Sequence, residues 1–403
     1  MKKNLFALFV LTCSLGLMSA SALEIVVKSD VAVKNSPVMV SVAGNELPDG
    51  DLSLVRGEKS LPAQVLSTSE GSVLCFVVDE LAAGEEAVYA LTAGTAEAAH
   101  AVQIEKGAEA LVITIGGEPF TSYVFASEAE SFHRPYFYPL LGPDGVRMTR
   151  GFPMDKHEGE ATDHPHHQSL WVAHGDVNGT DNWAIGSRCG TTKQVSLDAV
   201  QAGPVCGQFA STNVWYTAQG KPLLTDRRTF TIWGTRDEGR YVDFDLVFTA
   251  DQEDVVFGDT KEGGLISLRV APTLRVERVD KQPGGHILTS EGDRDGQAWG
   301  KAGSWCDYSG PVADRIAGLT IMDHPGNPFY PTHYHVRTYG LFTANPFGLS
   351  DFKGKEFDGS RTLKKGESWR VRYRLFIHEG DAEAAELPAR YAAYSKGLQV
   401  DIR

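Results

Sequence analysis

The residues of this chain best suited to chemistry lie close together: five of the twelve histidines fall between residues 157 and 174. Imidazole exchanges protons near neutral pH and also binds transition metals. The surrounding run, residues 157–183, adds carboxylates, amides and two tryptophans, and a proline and several glycines interrupt it. Such interruptions predict loops, and loops on a rigid scaffold often carry site residues. The run therefore predicts a polar site for a small molecule.

Three roles fit these histidines. In the first, they exchange protons with a sugar-like substrate, because sugar chemistry needs one group to give a proton and another to take one. The catalytic candidates in this run are His166, His167 and His174, and the candidates for substrate contact are His164, Gln168, Asp176, Asn178 and Trp183. In the second role, the histidines bind a metal. In the third, the HPHH sequence is a hydrogen-bonded structural loop packed beneath the two tryptophans.

The metal-binding alternative depends on spacing. His164 and His166 are two positions apart, which places both side chains on one face of a strand, and His333 and His335 repeat this spacing. Four such ligands, or three with a carboxylate, suit zinc, iron or copper. Apart from a metal held in this way, no cofactor is expected.

A carboxylate for the acid–base pair is predicted within residues 259–264, DTKEGG. Glu262 is the candidate, with Asp176 as the alternative, and the adjacent Lys261 is a candidate for substrate contact. Neighbouring Lys and Glu side chains commonly pair on the protein surface instead. The two glycines that follow allow close approach by backbone or by a ligand.

A third segment, residues 323–340, combines histidines with aromatic residues and an arginine. His335 joins the catalytic candidates, and His333 and Arg337 are candidates for contacts with sugar hydroxyl groups. The alternative is a proline-rich loop whose aromatic side chains cover the core. Arg134, at the start of RPYFYPLLGPDG, is predicted at the rim of the cleft, although this segment also fits a strand that leads into a turn.

The first 22 residues have the pattern of an export signal, with two lysines, an apolar stretch and a small-residue cleavage site before Leu23. The mature protein is therefore predicted to be periplasmic or secreted, without membrane insertion. The chain's formal net charge of −14 makes nucleic acid and anionic lipid poor partners. A small-molecule or oligosaccharide substrate fits this charge better, and the oligomeric state is left open.

Four cysteines follow the signal: Cys75, Cys189, Cys206 and Cys306. An exported protein can form disulfides, and a Cys189–Cys206 pair would close a short loop. The pairing itself cannot be deduced from sequence.

The rest of the pattern predicts an all-β protein. Residues 23–94 contain short apolar runs separated by turn residues, which predicts a small β-sandwich. Residues 95–109 are predicted to be a linker, with a short helix as the alternative. Residues 110–403 predict a large antiparallel β-sandwich, because long segments such as 240–250 alternate apolar and polar residues. A short helix is expected only within residues 381–396.

Five segments resemble a family of exported bacterial proteins labelled "methane oxygenase PmoA": RPYFYPLLGPDG, HPHHQSLWVAHGDVNGTDNW, DTKEGGLISLRVAP, AWGKAGSWCDYSG and HYHVRTYGLFTANPFG. The resemblance covers roughly residues 110–378. It implies a β-rich fold similar to the galactose-mutarotase-like supersandwich of aldose epimerases and several polysaccharide lyases. By its label, it also implies an oxygenase.

The sequence thus predicts an exported carbohydrate-active protein that acts on a sugar or glycoside by acid–base chemistry, with isomerase, lyase and hydrolase left open. The alternatives are a carbohydrate-binding protein without catalysis and a metal-dependent oxygenase. The three segments are predicted to meet in one pocket, where His166 or His167 lies with Glu262 and with His335 or Arg337. Residues 23–94 are expected only to flank that pocket.

Overall fold

The computed structural model describes residues 23–45, 47–68, 70–129, 131–235 and 239–403. The predicted signal, residues 1–22, lies outside the described residues. Across these ranges, no helix has both the length and the apolar character needed to cross a membrane. The chain is almost entirely antiparallel β-structure, which confirms the all-β prediction.

The N-terminal part is one antiparallel sheet around its own hydrophobic core. Its consecutive strands are β1 (Leu23–Lys28), β2 (Val33–Ser41), β3 (Leu52–Arg56), β4 (Lys59–Thr68), β5 (Gly71–Leu81) and β6 (Glu86–Ala93). They lie in the order β2-β5-β4-β3-β6-β1, and the last strand of the chain pairs with β1 to complete the sheet. Both ends of the described chain therefore meet in this unit.

The remaining strands are β7 (Val102–Lys106), β8 (Ala110–Ile115), β9 (Glu118–Val124), β10 (Tyr136–Leu140), β11 (Leu170–His174), β12 (Thr191–Gln201), β13 (Cys206–Tyr216), β14 (Pro222–Trp233), β15 (Gly239–Thr249), β16 (Val255–Phe257), β17 (Gly263–Arg269), β18 (His286–Thr289), β19 (Trp305–Val312), β20 (Arg315–Asp323), β21 (Tyr334–Val336), β22 (Leu341–Ala344), β23 (Arg361–Leu363), β24 (Ser368–Glu379) and β25 (Gln399–Ile402). The α-helices of the described residues are α1 (Leu349–Phe352) and α2 (Leu387–Lys396). Helix α2 is the predicted C-terminal helix, and Pro388 is accommodated because it lies in the first turn.

Two eight-stranded sheets form the large sandwich. We call β21-β22-β17-β11-β10-β9-β8-β7 the site sheet and β12-β13-β14-β15-β24-β20-β19-β18 the back sheet. Aromatic side chains join them: Phe137 of the site sheet meets Phe230 of the back sheet edge-on, with ring centroids 4.9 Å apart. Burial of such rings is the main stabilising contribution to a core of this kind.

Strand alternation determines which side chains reach this core. In β15, Val242, Phe244 and Leu246 are buried in the sandwich, whereas Asp243 and Asp245 point outwards. The predicted linker differs from expectation, because its residues 102–106 form β7. Val102 packs in the same core and holds this strand on the edge of the site sheet.

Candidate functional site

The outer face of the site sheet, turned away from the back sheet, carries two rows of aligned side chains. Cross-strand partners form the first row: His335, Thr343, Ser267, Trp171 and Tyr136. The second row contains Arg337, Leu341 and Arg269. Neighbouring positions such as Tyr334, Phe342 and Leu268 are buried in the sandwich core, so alternation turns these two rows outwards.

The loop before β11 places three imidazoles over this face. His164 and His167 stack with centroids 4.8 Å apart, and His166 meets His167 edge-on at 4.5 Å. His167 in turn stacks on Trp171 at 5.5 Å, and Trp183 packs beside both. The spacing argument for a strand at His164 and His166 is wrong. These residues form a turn in which the His167 N–H donates to the His164 carbonyl.

Arg134 holds this loop from beneath. Its guanidinium donates to the carbonyl oxygens of four residues in two loops: His166, Asn182, Trp183 and Ala184. Arg134 is only 1% exposed, so it does not lie at the rim of a cleft as predicted. Burial lowers the pKa of Arg134 to about 10, which leaves it charged at neutral pH. Gln168 is also buried, and its amide donates to the Ser131 carbonyl.

Arg269 connects the histidine loop to the sheet. Its Nη2 lies 3.1 Å from the carboxylate of Asp163, and its Nη1 lies 3.1 Å from Nδ1 of His167. Since a guanidinium only donates, Nδ1 of His167 accepts, and the proton of the neutral ring is on Nε2. Burial and the neighbouring charges hold the pKa of His167 well below its usual value. Burial and the Arg134 charge likewise lower the pKa of His166 to about 3.

His335 has the opposite tautomer. Its Nδ1 donates to the carbonyl of Lys261 at 2.7 Å, so the lone pair of the neutral ring is on Nε2. Burial lowers the pKa of His335 to about 4. Its ring packs near Trp299 and Phe352, and Phe352 also stacks on His333. The outer face therefore presents one neutral imidazole as a donor and another as an acceptor.

Tyr339 lies between the histidine loop and two arginines. The guanidinium carbons of Arg269 and Arg337 lie 4.7 Å and 5.5 Å from its ring centroid, and His164 stacks on it at 5.6 Å. Burial raises the pKa of Tyr339, and the charge of Glu262 is near enough to contribute. Sequence reasoning missed Arg269, Tyr339 and Asp163. The alternation that continues from Arg337 to Tyr339 pointed to Tyr339. No local pattern indicates the long-range contact between Arg269 and Asp163.

Glu262 and Lys261 lie at the border of this face. Their side chains form an ion pair at 3.4 Å and are 43% and 39% exposed. The Glu262 carbonyl accepts from the Gly175 N–H, which fixes the start of β17 beside β11. The Lys261 carbonyl accepts a hydrogen bond from His335. Glu262 therefore follows directly, in sequence, a residue that contacts His335.

Three candidates of the histidine run lie elsewhere. His174 is fully buried on the core side, between Phe257 and Phe347, and its Nε2 donates to the Gly258 carbonyl. Burial lowers its pKa to about 4. Asn178 bonds to the backbone at Asp254 and Val256, and Asp176 accepts from the Gly179 N–H. The structure therefore places these three side chains in loop anchoring and core packing.

Gly263 explains part of the DTKEGG motif. A Cβ on this glycine would lie 2.5 Å from Nδ1 of His174, so the glycine makes room for a buried ring rather than for a ligand.

The described residues contain no group of three or more His, Cys, Asp or Glu side chains placed to hold one metal ion. The outer face instead offers unused donors. Within the described part of the chain, the indole N–H groups of Trp171, Trp183 and Trp299 are buried and have no hydrogen-bond partner. Buried polar groups are normally paired, so these three donors lack the partner that a polar ligand or an ordered water supplies.

The fold and this face define the class: an all-β protein whose two-sheet sandwich presents imidazole, aromatic and guanidinium groups on one outer face. Residues 110–392 match a family described as "Family of unknown function (DUF6807)". This match covers more than half of the chain, so the protein belongs to that family. The matched range includes every residue of the outer face discussed above. No curated protein matches the chain.

Proposed function

We propose that the protein is carbohydrate-active and moves a proton on a sugar or glycoside bound to the outer face of the site sheet. The observation that carries the proposal is the pair of neutral imidazoles with opposite tautomers on this face. His335 accepts a proton through Nε2, and the carboxylate of Glu262 is the second acceptor. His167 donates a hydrogen bond from Nε2–H to a substrate oxygen, supported by Arg269.

The spacing of the rows favours an extended substrate. His335 and Trp171 are separated by three strand steps, so their backbones are about 14 Å apart. His167 stacks on Trp171, so a ligand that contacts both histidines reaches across several strands. An oligosaccharide meets this requirement better than a single sugar. Aromatic rings along the same face supply the apolar contacts that sugar rings use.

The same separation favours a second candidate function, binding without turnover. An acid and a base that act on one bond must both reach it. If a bound ligand contacts the two histidines at its opposite ends, no single bond lies within reach of both. The protein then captures carbohydrate and does not convert it.

The experiment is a panel of neutral, acidic and 3-oxidised mono- and oligosaccharides, with binding followed by calorimetry and conversion by NMR. The informative variant is His335→Asn, because Asn can keep the bond to the Lys261 carbonyl while removing Nε2. The control is His286→Asn on the back sheet, where the histidine is 74% exposed. We expect conversion to be lost in His335→Asn alone. Binding without conversion supports the second function, and no binding across the panel overturns both.

A further inference from the structure

The outer face of the site sheet carries more positive charge than its own carboxylates balance. Arg150 and Arg269 share one partner, Asp163, at 2.6 Å and 3.1 Å. Among the described residues, no carboxylate lies within 4.0 Å of Arg275 or Arg337. These four guanidinium groups and Lys261 face two carboxylates, Asp163 and Glu262, which leaves three positive charges in excess. This excess contrasts with the net charge of −14 for the chain.

Arg337 is the member of this group that is free to bind. Its guanidinium lies 5.7 Å from the Trp299 ring centroid and 5.5 Å from that of Tyr339, and makes no hydrogen bond to any described residue. The rings position the cation without neutralising it. Arg150, in contrast, uses its guanidinium on three carbonyl groups and Asp163.

Arg275 and Arg269 add to the positive electrostatic potential near Arg337. Their side chains pass on the same side of Gly340, where a Cβ would lie 3.2 Å from Cγ of Arg275 and 3.8 Å from Nε of Arg269. Tyr339 separates Arg269 from Arg337. Three guanidinium groups around two adjacent residues make a site for an anion, since like charges held together are stabilised by a counter-charge.

We propose that Arg337, backed by Arg269 and Arg275, binds an anionic substituent of the sugar, either the carboxylate of a uronic acid or a sulfate ester. This inference rests on the function proposed above and specifies its substrate class. A guanidinium can give two parallel hydrogen bonds to either group, which makes the contact directional as well as electrostatic.

The test compares three matched disaccharides: a neutral glucose disaccharide, its glucuronic acid counterpart and its sulfated counterpart. Calorimetry is run on the wild type, Arg337→Gln and the control Arg370→Gln, which makes the same charge change on the back sheet. We expect at least one acidic ligand to bind about tenfold more tightly than the neutral ligand, a difference of about 1.4 kcal/mol. The preference should disappear in Arg337→Gln, persist in Arg370→Gln and decline with added salt.

Each remaining outcome is decisive. Equal binding of neutral and acidic ligands overturns this inference and leaves the proposed function standing. An acidic preference that survives in Arg337→Gln overturns the assignment to Arg337. Failure of all three ligands to bind, in a protein with an unchanged melting temperature, counts against the proposed function as well.

A separate observation concerns two buried thiols between the N-terminal unit and the sandwich. Cys75 on β5 and Cys206 on β13 are both fully buried in one cluster. Gln64 lies directly opposite Cys75, and its side-chain oxygen accepts from the Cys206 N–H at 3.1 Å. The neighbouring Cys75 thiol, together with burial, raises the pKa of the Cys206 thiol well above its usual value. The short-loop pair considered from sequence, Cys189 with Cys206, is therefore not the pair that the fold brings together.

We infer that Cys75 and Cys206 form a disulfide when the protein meets an oxidising disulfide compound. The two thiols lose two protons and two electrons, one S–S bond forms, and the compound is reduced to two thiols. The cross-link joins positions 131 residues apart (206 − 75) and ties the N-terminal unit to the back sheet.

Full-length protein is incubated with glutathione disulfide, denatured with alkylating agent and mapped by mass spectrometry. We expect a linked peptide pair containing residues 75 and 206, and a higher melting temperature that reduction reverses. The variant Cys75→Ser should lose both effects, whereas Cys189→Ser should retain them. Complete alkylation of both cysteines after oxidation, or linkage through Cys189, overturns the inference.

Discussion

The two outer faces of the sandwich are built by the same strand alternation but differ in how their polar groups are paired. On the back sheet, Arg374 bonds to Asp243 at 2.6 Å and Arg370 bonds to Asp245 at 2.6 Å. The Trp233 indole N–H also donates to Asp243. On the site sheet, three indole N–H groups and the Arg337 guanidinium have no partner among the described residues.

This difference separates a face whose polar groups are paired within the protein from one whose buried donors have no partner among the described residues. Pairs of unlike charges on adjacent strands stabilise a sheet modestly and leave neither charge without a partner. Part of the back sheet's face is also close to the N-terminal unit, where Pro37 and Met39 line a cavity of about 350 Å³ with its arginines. The unpaired indole donors of the site sheet carry a desolvation cost that no described residue offsets.

Acidification has the largest expected effect on the free energy of unfolding. Burial lowers the pKa of His174 and of His335 to about 4, against about 6.5 in the unfolded chain. Between these values the unfolded chain binds more protons, so the free energy of unfolding should fall as the pH drops from about 6.5 towards 4. Each of the two imidazoles contributes on the order of 3 kcal/mol. Urea titrations from about pH 7 to about pH 4 measure the trend.

One group acts in the opposite direction. Burial raises the pKa of Asp323 to about 7, so this carboxyl stabilises the folded state as the pH falls below that value. The lowered pKa values of several histidines outweigh this stabilising effect of Asp323. A stability that stays constant or rises on acidification would contradict this account, and His174→Leu should show a shallower pH dependence than the wild type.

Removing the guanidinium beneath the histidine loop has the next largest effect. Arg134→Met leaves four carbonyl groups without their charged donor, and should lower the free energy of unfolding by about 4 kcal/mol. Sugar binding should be lost with it, because two loops of the site sheet lose their support. The matched control is Arg188→Met, an exposed arginine in the following loop, which should change little. Equal effects of the two substitutions would remove Arg134 from its supporting role.

Two histidines on opposite sides of the site sheet sharpen the comparison. His174→Leu removes the bond to the Gly258 carbonyl and should cost about 1–3 kcal/mol of stability without changing sugar binding. His335→Asn should instead weaken sugar binding and leave the stability nearly unchanged. Melting temperature and calorimetric affinity measured on both variants check this expectation. If His174→Leu abolishes binding while the fold persists, the site is not confined to the outer face.

The smallest expected effect on stability is at the border of the face. Glu262→Gln breaks an exposed ion pair with Lys261 and should change the free energy of unfolding by less than about 0.5 kcal/mol. Conversion of substrate should nevertheless fall strongly, because Glu262 is proposed to accept a proton. Glu253→Gln, which breaks a similar exposed pair with Lys221, is the control and should leave conversion unchanged. Equal conversion in both variants would exclude Glu262 as the base.

Several features of the site follow from local rules. The alternation in HYHVRTY puts His333, His335 and Arg337 on one side of a short strand, and the structure shows all three on the outer face. The interrupted histidine run was recognisable as a loop. The same local reasoning failed at Arg134 and His174, because burial depends on what packs over a residue, and that is supplied by distant segments.

By itself, the sequence determined the β class, the inward and outward alternation of each strand, and the residues available for chemistry, because these depend on neighbours in the chain. Only the tertiary structure decided that β17 lies between β22 and β11. That order brings Arg269 to His167 across 102 residues and sets the tautomer of the histidine. Contacts of this length depend on strand order and register, which arise from the packing of whole sheets and not from any local pattern.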